Sequence, residues 1–403
     1  MSDPSAPRGL RSEIAWVFLK LGTIGFGGPA AHIALMEDEV VRRRRWLSRQ
    51  DFLDLLAATH MIPGPNSTEM AIHLGLRRGG ASGLLIAGIC FILPAALIVT
   101  AMAWSYVRFG SYPVAKGALL AIQPVIAVIV VQAVWSLGRE AVRTRGLAIL
   151  AVAALISYAL GAHELVVIGV AGLFAAILGV GGGTRETAPA LGLLPSAGPA
   201  SPSGPSGPSD PSGPALLAAA VAPAAAAAVP VTTWGLFLVF LKTGSVLFGS
   251  GYVLVAFLRA DLVERWRWLS ESQLLDAVAV GQFTPGPLSA TATFIGYLLA
   301  GWPGAAAATL GMFLPSFVLV ALSGPLVPRL RRSRAAGAVL DGLVIGSLAV
   351  MAVVSFLLAR SAITDWISAL VAVVAALLLL RFRVNAAWLV LGAGALGAAL
   401  GMR

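Results

Sequence analysis

Residues 18–27, FLKLGTIGFG, return at 240–249 as FLKTGSVLFG, and RRRRWLSRQDFLDLLA at 42–57 returns at 264–279 as ERWRWLSESQLLDAVA. Between Phe18/Phe240 and Ser67/Ser289, 20 of 50 ungapped pairs are identical, and a one-residue shift then brings Pro94 onto Pro315. The chain therefore has to fold as two copies of one unit. Each copy has to seat a Pro-Gly-Pro turn, 63–65 and 285–287, among strongly apolar neighbours.

Only 11% of the 403 residues are charged and 58% are hydrophobic, with a mean hydropathy of +0.88. Soluble domains carry about 25% charged residues, so the composition predicts an all-α integral membrane protein with the lipid bilayer as its main partner. The net charge of +10 is mostly arginine, clustered in short groups between apolar runs. That placement suits loops that orient helices in a bilayer and excludes a nucleic-acid surface. Cys90, the single cysteine, lies in an apolar run, which leaves no disulfide framework or cysteine metal site. The N-terminal MSDPSAPRGLRSE lacks the short apolar core of a removable signal.

Apolar runs long enough to be read as crossings of ~30 Å of hydrocarbon cover 13–36 (interrupted by GFGGP), 80–107, 114–138, 146–160 and 163–180. They resume at 234–258, 301–323, 336–359, 362–380 and 384–402. Four regions result: a tail 1–12, a first repeat 13–183, a Pro/Gly/Ser/Ala-rich linker 184–230 and a second repeat 231–403. If the first span leaves Arg42 to Arg45 in the cytoplasm, Arg77, Arg78, Arg139, Arg143, Arg145 and the linker follow. Arg329, Arg331, Arg332, Arg334, Arg381 and Arg383 then fall inside too, and Arg259, Arg265, Arg267, Arg360 and Arg403 outside. About five spans per half, plus a re-entrant PGP half-helix in each, make the repeats inverted in topology, the arrangement of many secondary transporters.

The segment 49–60 reads as an amphipathic helix leading into Pro63, Gly64 and Pro65. Proline suits a first helical turn, and glycine lets the backbone turn sharply and approach a ligand. Residues 66–78 then form a half-helix whose free N–H groups favour an oxyanion. Asn66, Ser67 and Thr68 add side-chain donors. In the second copy Pro285, Gly286 and Pro287 precede Leu288, Ser289, Ala290 and Thr291, a poorer set in which Ser289 is the matched donor. The competing reading is a tight turn with hydroxyl caps, but irregular backbone at membrane depth is tolerated mainly where it lines a cavity.

Lys20 and Lys242 occupy matched positions inside apolar runs, each before a Gly-rich break containing, in the first copy, Gly27 and Gly28. A lysine at a helix centre costs about 2.5–3.5 kcal/mol to insert, and a bound anion would offset that; on this reading either Lys→Ala change abolishes transport. Snorkelling of the lysines to an interface is the alternative. His60 and Glu69 are candidates for proton coupling, with capping the plainer role for Glu69. His32 and His73 read as hydrogen-bonded polar groups. The matched Asp54 and Asp276 read as a solvated face or ion pairs. No zinc spacing, Ser/His/Asp set or phosphate loop is visible, so no cofactor and no enzymatic activity are expected.

FGGP at 26–29, WLS at 46–48, PGP at 63–65, Gly75 and Gly83 resemble the chromate ion transporter family. So do FG at 248–249, WLS at 268–270, PGP at 285–287, Gly296 and Gly304; Ser250 and Gly251 depart from the pattern where the first copy has Gly28 and Pro29. The resemblance covers nearly the whole chain outside the linker and matches the long, two-halved form. It implies export of chromate across the bacterial inner (plasma) membrane and chromate resistance. A carrier of sulfate or another oxyanion uses the same physics. An anion channel and a membrane enzyme are the remaining alternatives, and a homodimer is left open.

Overall fold

The computed structural model describes residues 9–26, 28–179, 230–248, 251–382 and 384–400, without the side chains of 324–332, 334 and 400. Gly27, most of the tail and nearly all of the linker lie outside the described residues. Every regular element among those described is helical.

The first run does not form one crossing. Helix α1 (Leu10–Ile24) stops at Gly25, and α2 (Gly28–Glu37) restarts and runs into a π-helical segment, Asp38–Arg43. The chain turns back on itself, because Glu13 at the start of α1 accepts from Arg44 Nη1 at 3.0 Å and from Trp46 Nε1 at 3.2 Å. Helix α3 (Arg49–Thr59) follows, capped by Ser48, whose hydroxyl accepts from the Asp51 amide. Helix α4 (Asn66–Phe109) is two arms joined at Gly79–Gly80, where Gly80 has φ 59°. Its first arm also ends at Glu13, through Arg78 at 3.3 Å. The arms approach so closely at Gly75 and Gly83 that a Cβ on either would strike the other's carbonyl. Small residues at such crossings let apolar helices pack by contact area alone. Then come α5 (Pro113–Ala141), α6 (Arg145–Ala159) and α7 (Glu164–Ile177).

The second half repeats this order. It comprises α8 (Thr233–Val246), α9 (Val253–Leu258), a π segment Arg259–Arg265, α10 (Glu271–Phe283), a 3-10 turn Leu288–Ala290 and α11 (Thr291–Arg332), kinked at Ala300–Gly301. Helices α12 (Arg334–Ala362), α13 (Trp366–Leu380) and α14 (Ala386–Leu400) complete it. Even the left-handed residue before each Trp-Leu-Ser recurs, Arg45 at φ 51° and Arg267 at φ 53°.

Among the described residues, four stretches are long and apolar enough to cross a membrane: Asn66–Phe109, Pro113–Ala141, Leu288–Ser323 and Ala335–Ala362. The 15-residue α6 and α13 are about 22 Å long, shorter than the ~30 Å hydrocarbon layer. The halves interlock: α5 packs against α14, and α12 against α7 and α6. The main apolar core accordingly draws on both, with Ile126 and Val130 beside Met351 and Val390.

Candidate functional site

Each PGP turn is built by a glycine that no other residue could replace without strain. Gly64 has φ 144° and Gly286 φ 96°, in the left-handed region that favours glycine. The Gly64 amide donates to the Leu247 carbonyl at 2.8 Å, and the Gly286 amide donates to the Gly25 carbonyl at 2.8 Å. Leu247 is the repeat counterpart of Gly25, so each turn is tied to the helix break of the opposite half. The two breaks and the two turns form one crossed assembly.

Helix α4 then begins at Asn66 with Pro65 in the cap position and no side chain capping it; the amides of Thr68 and Glu69 donate to the Pro65 carbonyl at 2.8 and 3.1 Å. The sequence places Pro65 in the first helical turn and makes capping the plainer role for Glu69. Both points are corrected: Pro65 precedes the helix, and both Glu69 oxygens lack a hydrogen-bond partner. The second turn enters α11 through the tighter 3-10 turn, with the Ala290 amide donating to the Pro287 carbonyl at 2.9 Å.

Asn66, Ser67, Thr68 and Ser289 are all buried, as are Gly64, Pro65, Pro285, Gly286 and Pro287, while Pro63 is half-buried. Protein packs around both turns. The first-half side is unusual in composition: Thr68 Oγ1, both Glu69 oxygens, His73 Nε2 and Ser316 Oγ are buried without a partner. Ser316 comes from α11, and its hydroxyl would lie 2.7 Å from a Cβ placed on Gly64, a Cβ that would also strike Glu69 Oε1. Ala95 occupies the corresponding place beside Gly286. No carboxylate stands in 288–323, so the two sides differ in charge as well as polarity.

The lysines are held differently from the sequence expectation. Lys20 Nζ donates to Glu39 Oε2 at 3.0 Å. Lys242 Nζ donates to both Asp261 oxygens at 2.8 Å and to Glu164 Oε1 of the first half at 3.2 Å. The cost of the apolar setting is thus met inside the protein, by carboxylates 19 residues further on in each π segment. Glu39 and Asp261 are repeat-matched, and that periodicity was the available signal for them. Gly28, with φ 81°, is half-buried near the Tyr252 hydroxyl. His60 is exposed, its Nδ1 2.7 Å from the Leu56 carbonyl. His32 Nε2 contacts the Gly25 carbonyl at 2.9 Å, the hydrogen-bonded role expected of it. Asp54 is exposed, as read. Asp276 is not on a solvated face or in an ion pair: it is buried and accepts from Tyr106 at 2.8 Å and Gln123 at 3.2 Å.

Residues 12–180 and 234–398 match the chromate transporter family, one match for each half. The chain belongs to that family. Among curated members, it is 31% identical over 400 residues to a chromate transport protein of Cupriavidus metallidurans, covering 98% of this chain and 94% of that one. It is 31% identical over 334 residues to a chromate transport protein of Pseudomonas aeruginosa (82% and 76% covered). An uncharacterized transporter of Methanocaldococcus jannaschii is 25% identical over 372 residues, with 91% and 89% covered. No solved structure matches. The two family segments divide the chain where the structural repeat divides it, so the crossed PGP assembly is built between two chromate transporter units.

Proposed function

We propose that the protein is a secondary transporter that carries chromate, a tetrahedral dianion, out of the bacterial cytoplasm across the inner membrane and so confers chromate resistance. The observation that carries this reading is the pair of PGP turns, tied crosswise and each opening a helix, in a member of the chromate transporter family. Helix N-termini present N–H groups and a positive dipole end to an anion. Asn66, Ser67 and Thr68 supply hydrogen bonds from the first turn, and Ser289 from the second. Lys20 and Lys242 hold the breaks in register through Glu39 and Asp261 rather than acting as anion ligands.

The halves act as inverted repeats in this proposal. Glu13, Arg44 and Arg78 gather by the kink of α4. Ser272 and Asp276, the counterparts of Gln50 and Asp54, reach Gln123 and Tyr106 toward the other end of α4 and α5. Such repeats let one site face either side in turn. Expelling two negative charges across an inside-negative potential gains about 4.6 kcal/mol per 100 mV, so the potential favours export.

Sulfate has nearly the same shape and charge and is the second substrate this site accommodates. Chromate uptake by everted vesicles carrying the protein, with sulfate as competitor, tests the reading. Saturable, potential-dependent chromate uptake is expected. Uptake that does not saturate would identify a channel, and sulfate uptake without chromate uptake would reassign the substrate.

A further inference from the structure

Glu69 is buried to 0% exposure with both carboxylate oxygens unpartnered, next to the glycine of the first PGP turn. Its surroundings are an unpartnered Ser316 hydroxyl against the same Gly64, the unpartnered Thr68 hydroxyl one residue before it, and His73 one helical turn later. A buried carboxylate needs donors to remain ionised, whereas a carboxylic acid needs little more than one acceptor for its O–H; the Ser316 hydroxyl faces the same Gly64 and, like Glu69, has no hydrogen-bond partner in the structure. An oxyanion at the start of α4 would add like charge within a few residues of Glu69, which disfavours the ionised form further.

Other titratable groups leave Glu69 without compensation. On α1, Glu13 is bound to Arg44 and Arg78, and Lys20 to Glu39. On α2, His32 contacts Gly25, and Glu37 is paired with Arg49. On α3, Asp51 accepts from Ser48 at 2.6 Å, Asp54 is exposed, and His60 contacts Leu56. On α10, Glu271 is paired with Arg259, and Asp276 is held by Tyr106 and Gln123. Tyr297 of α11 stacks edge-on against Trp302. Two of the histidines keep an unpartnered ring nitrogen, His32 at Nδ1 on α2 and His73 at Nε2 on the same helix as Glu69.

We infer that an oxyanion occupies the first PGP terminus only when Glu69 carries a proton, so that the transported unit is one dianion plus one proton. The inference rests on the oxyanion reading of the site. The proton comes from the aqueous side that supplies the anion, resides on a Glu69 oxygen with the O–H directed to Ser316 Oγ, and leaves on the side where the anion leaves. The net charge moved per chromate is then one rather than two.

The test uses the purified full-length protein and chromate at alkaline pH, where the free ligand is a dianion, with sulfate as a second probe. Proton uptake on binding is measured by calorimetry in buffers of different ionisation enthalpy. In the pH range where Glu69 of the free protein is ionised, one proton per bound anion is expected, with affinity rising up to about tenfold per unit fall in pH. In Glu69→Gln the uptake disappears and the affinity becomes flat with pH. An infrared difference spectrum of the unmodified protein supplies a readout that needs no variant: the C=O band of a protonated carboxylic acid should appear as the anion binds, and Ser316→Ala should shift it. Binding without proton uptake, uptake that survives Glu69→Gln or passes to His73→Gln, or the lack of that band would overturn the inference while leaving the oxyanion reading intact. If neither chromate nor sulfate binds, the oxyanion reading falls, and this inference falls with it.

Discussion

Arg259 donates to Glu271 in the second half at the positions where, in the first, Glu37 accepts from Arg49: one ion pair is present twice with its charges exchanged. The molecule has kept the pairing and not the identity of either partner. Their settings differ, because the Arg259 side chain is 10% exposed and that of Arg49 60%.

Removing one partner should therefore cost unequal amounts. Arg49→Ala breaks an exposed pair and is expected to cost under about 1 kcal/mol. Glu271→Ala leaves a buried guanidinium with only Glu264, and a loss near 3 kcal/mol is expected. Exchanging the second pair, Arg259→Glu with Glu271→Arg, should recover only part of it, because a carboxylate at 259 then faces Glu264. Thermal unfolding in detergent measures all three, and equal losses in the two halves would refute the burial argument.

The lysines give a sharper contrast. Lys242→Met strands Asp261, whose side chain is 2% exposed, with Arg265 as its remaining cation, and should lower folded yield severely. Lys242→Met combined with Asp261→Leu and Glu164→Gln removes the lysine together with both carboxylates it holds and should restore yield and chromate flux together. A well-folded but transport-dead triple variant would return the lysine to the anion site.

Gly64→Ala meets two obstacles, a φ of 144° and the Glu69 carboxyl. Backbone strain of about 1–3 kcal/mol at the turn should displace the start of α4. Chromate flux in everted vesicles is expected to fall more than tenfold with membrane insertion unchanged. Near-normal flux would place the transport path elsewhere.

Asn66 stands where the second copy has Leu288. Asn66→Leu makes the two termini alike and removes a side-chain hydrogen-bonding group worth about 0.5–1.5 kcal/mol. A two- to tenfold rise in the KM for chromate is expected, and an unchanged KM would move the anion away from the first terminus.

Much of this was legible in the sequence because the duplication supplied an internal control. It located both PGP turns, the helix 49–60, the half-helix 66–78 and the break before Gly28. Partners distant in sequence were not legible. Ser316 reaches Gly64, Gln123 reaches Asp276, and Leu247 reaches Gly64 only through tertiary packing, which leaves no periodicity to read. The lysines misled for a related reason: an insertion cost shows that a partner is required and does not say whether it is a ligand or a carboxylate 19 residues away. The run 13–36 had the length of a crossing, but its hydropathy could not reveal that the glycine break folds the chain back onto Glu13.

The interlocking of the halves has a consequence for how the chain is made. Helix α5, complete by residue 141, is covered by α14, which ends the described chain at Leu400. At ordinary synthesis rates these are separated by on the order of tens of seconds. During that interval one face of α5 is in the membrane without its partner, and the Gly64 turn waits for Leu247 to be made before its amide can be satisfied. A ribosome stalled after the first half should therefore leave a unit exposed to membrane quality-control proteases, and supplying the second half as a separate chain should protect it.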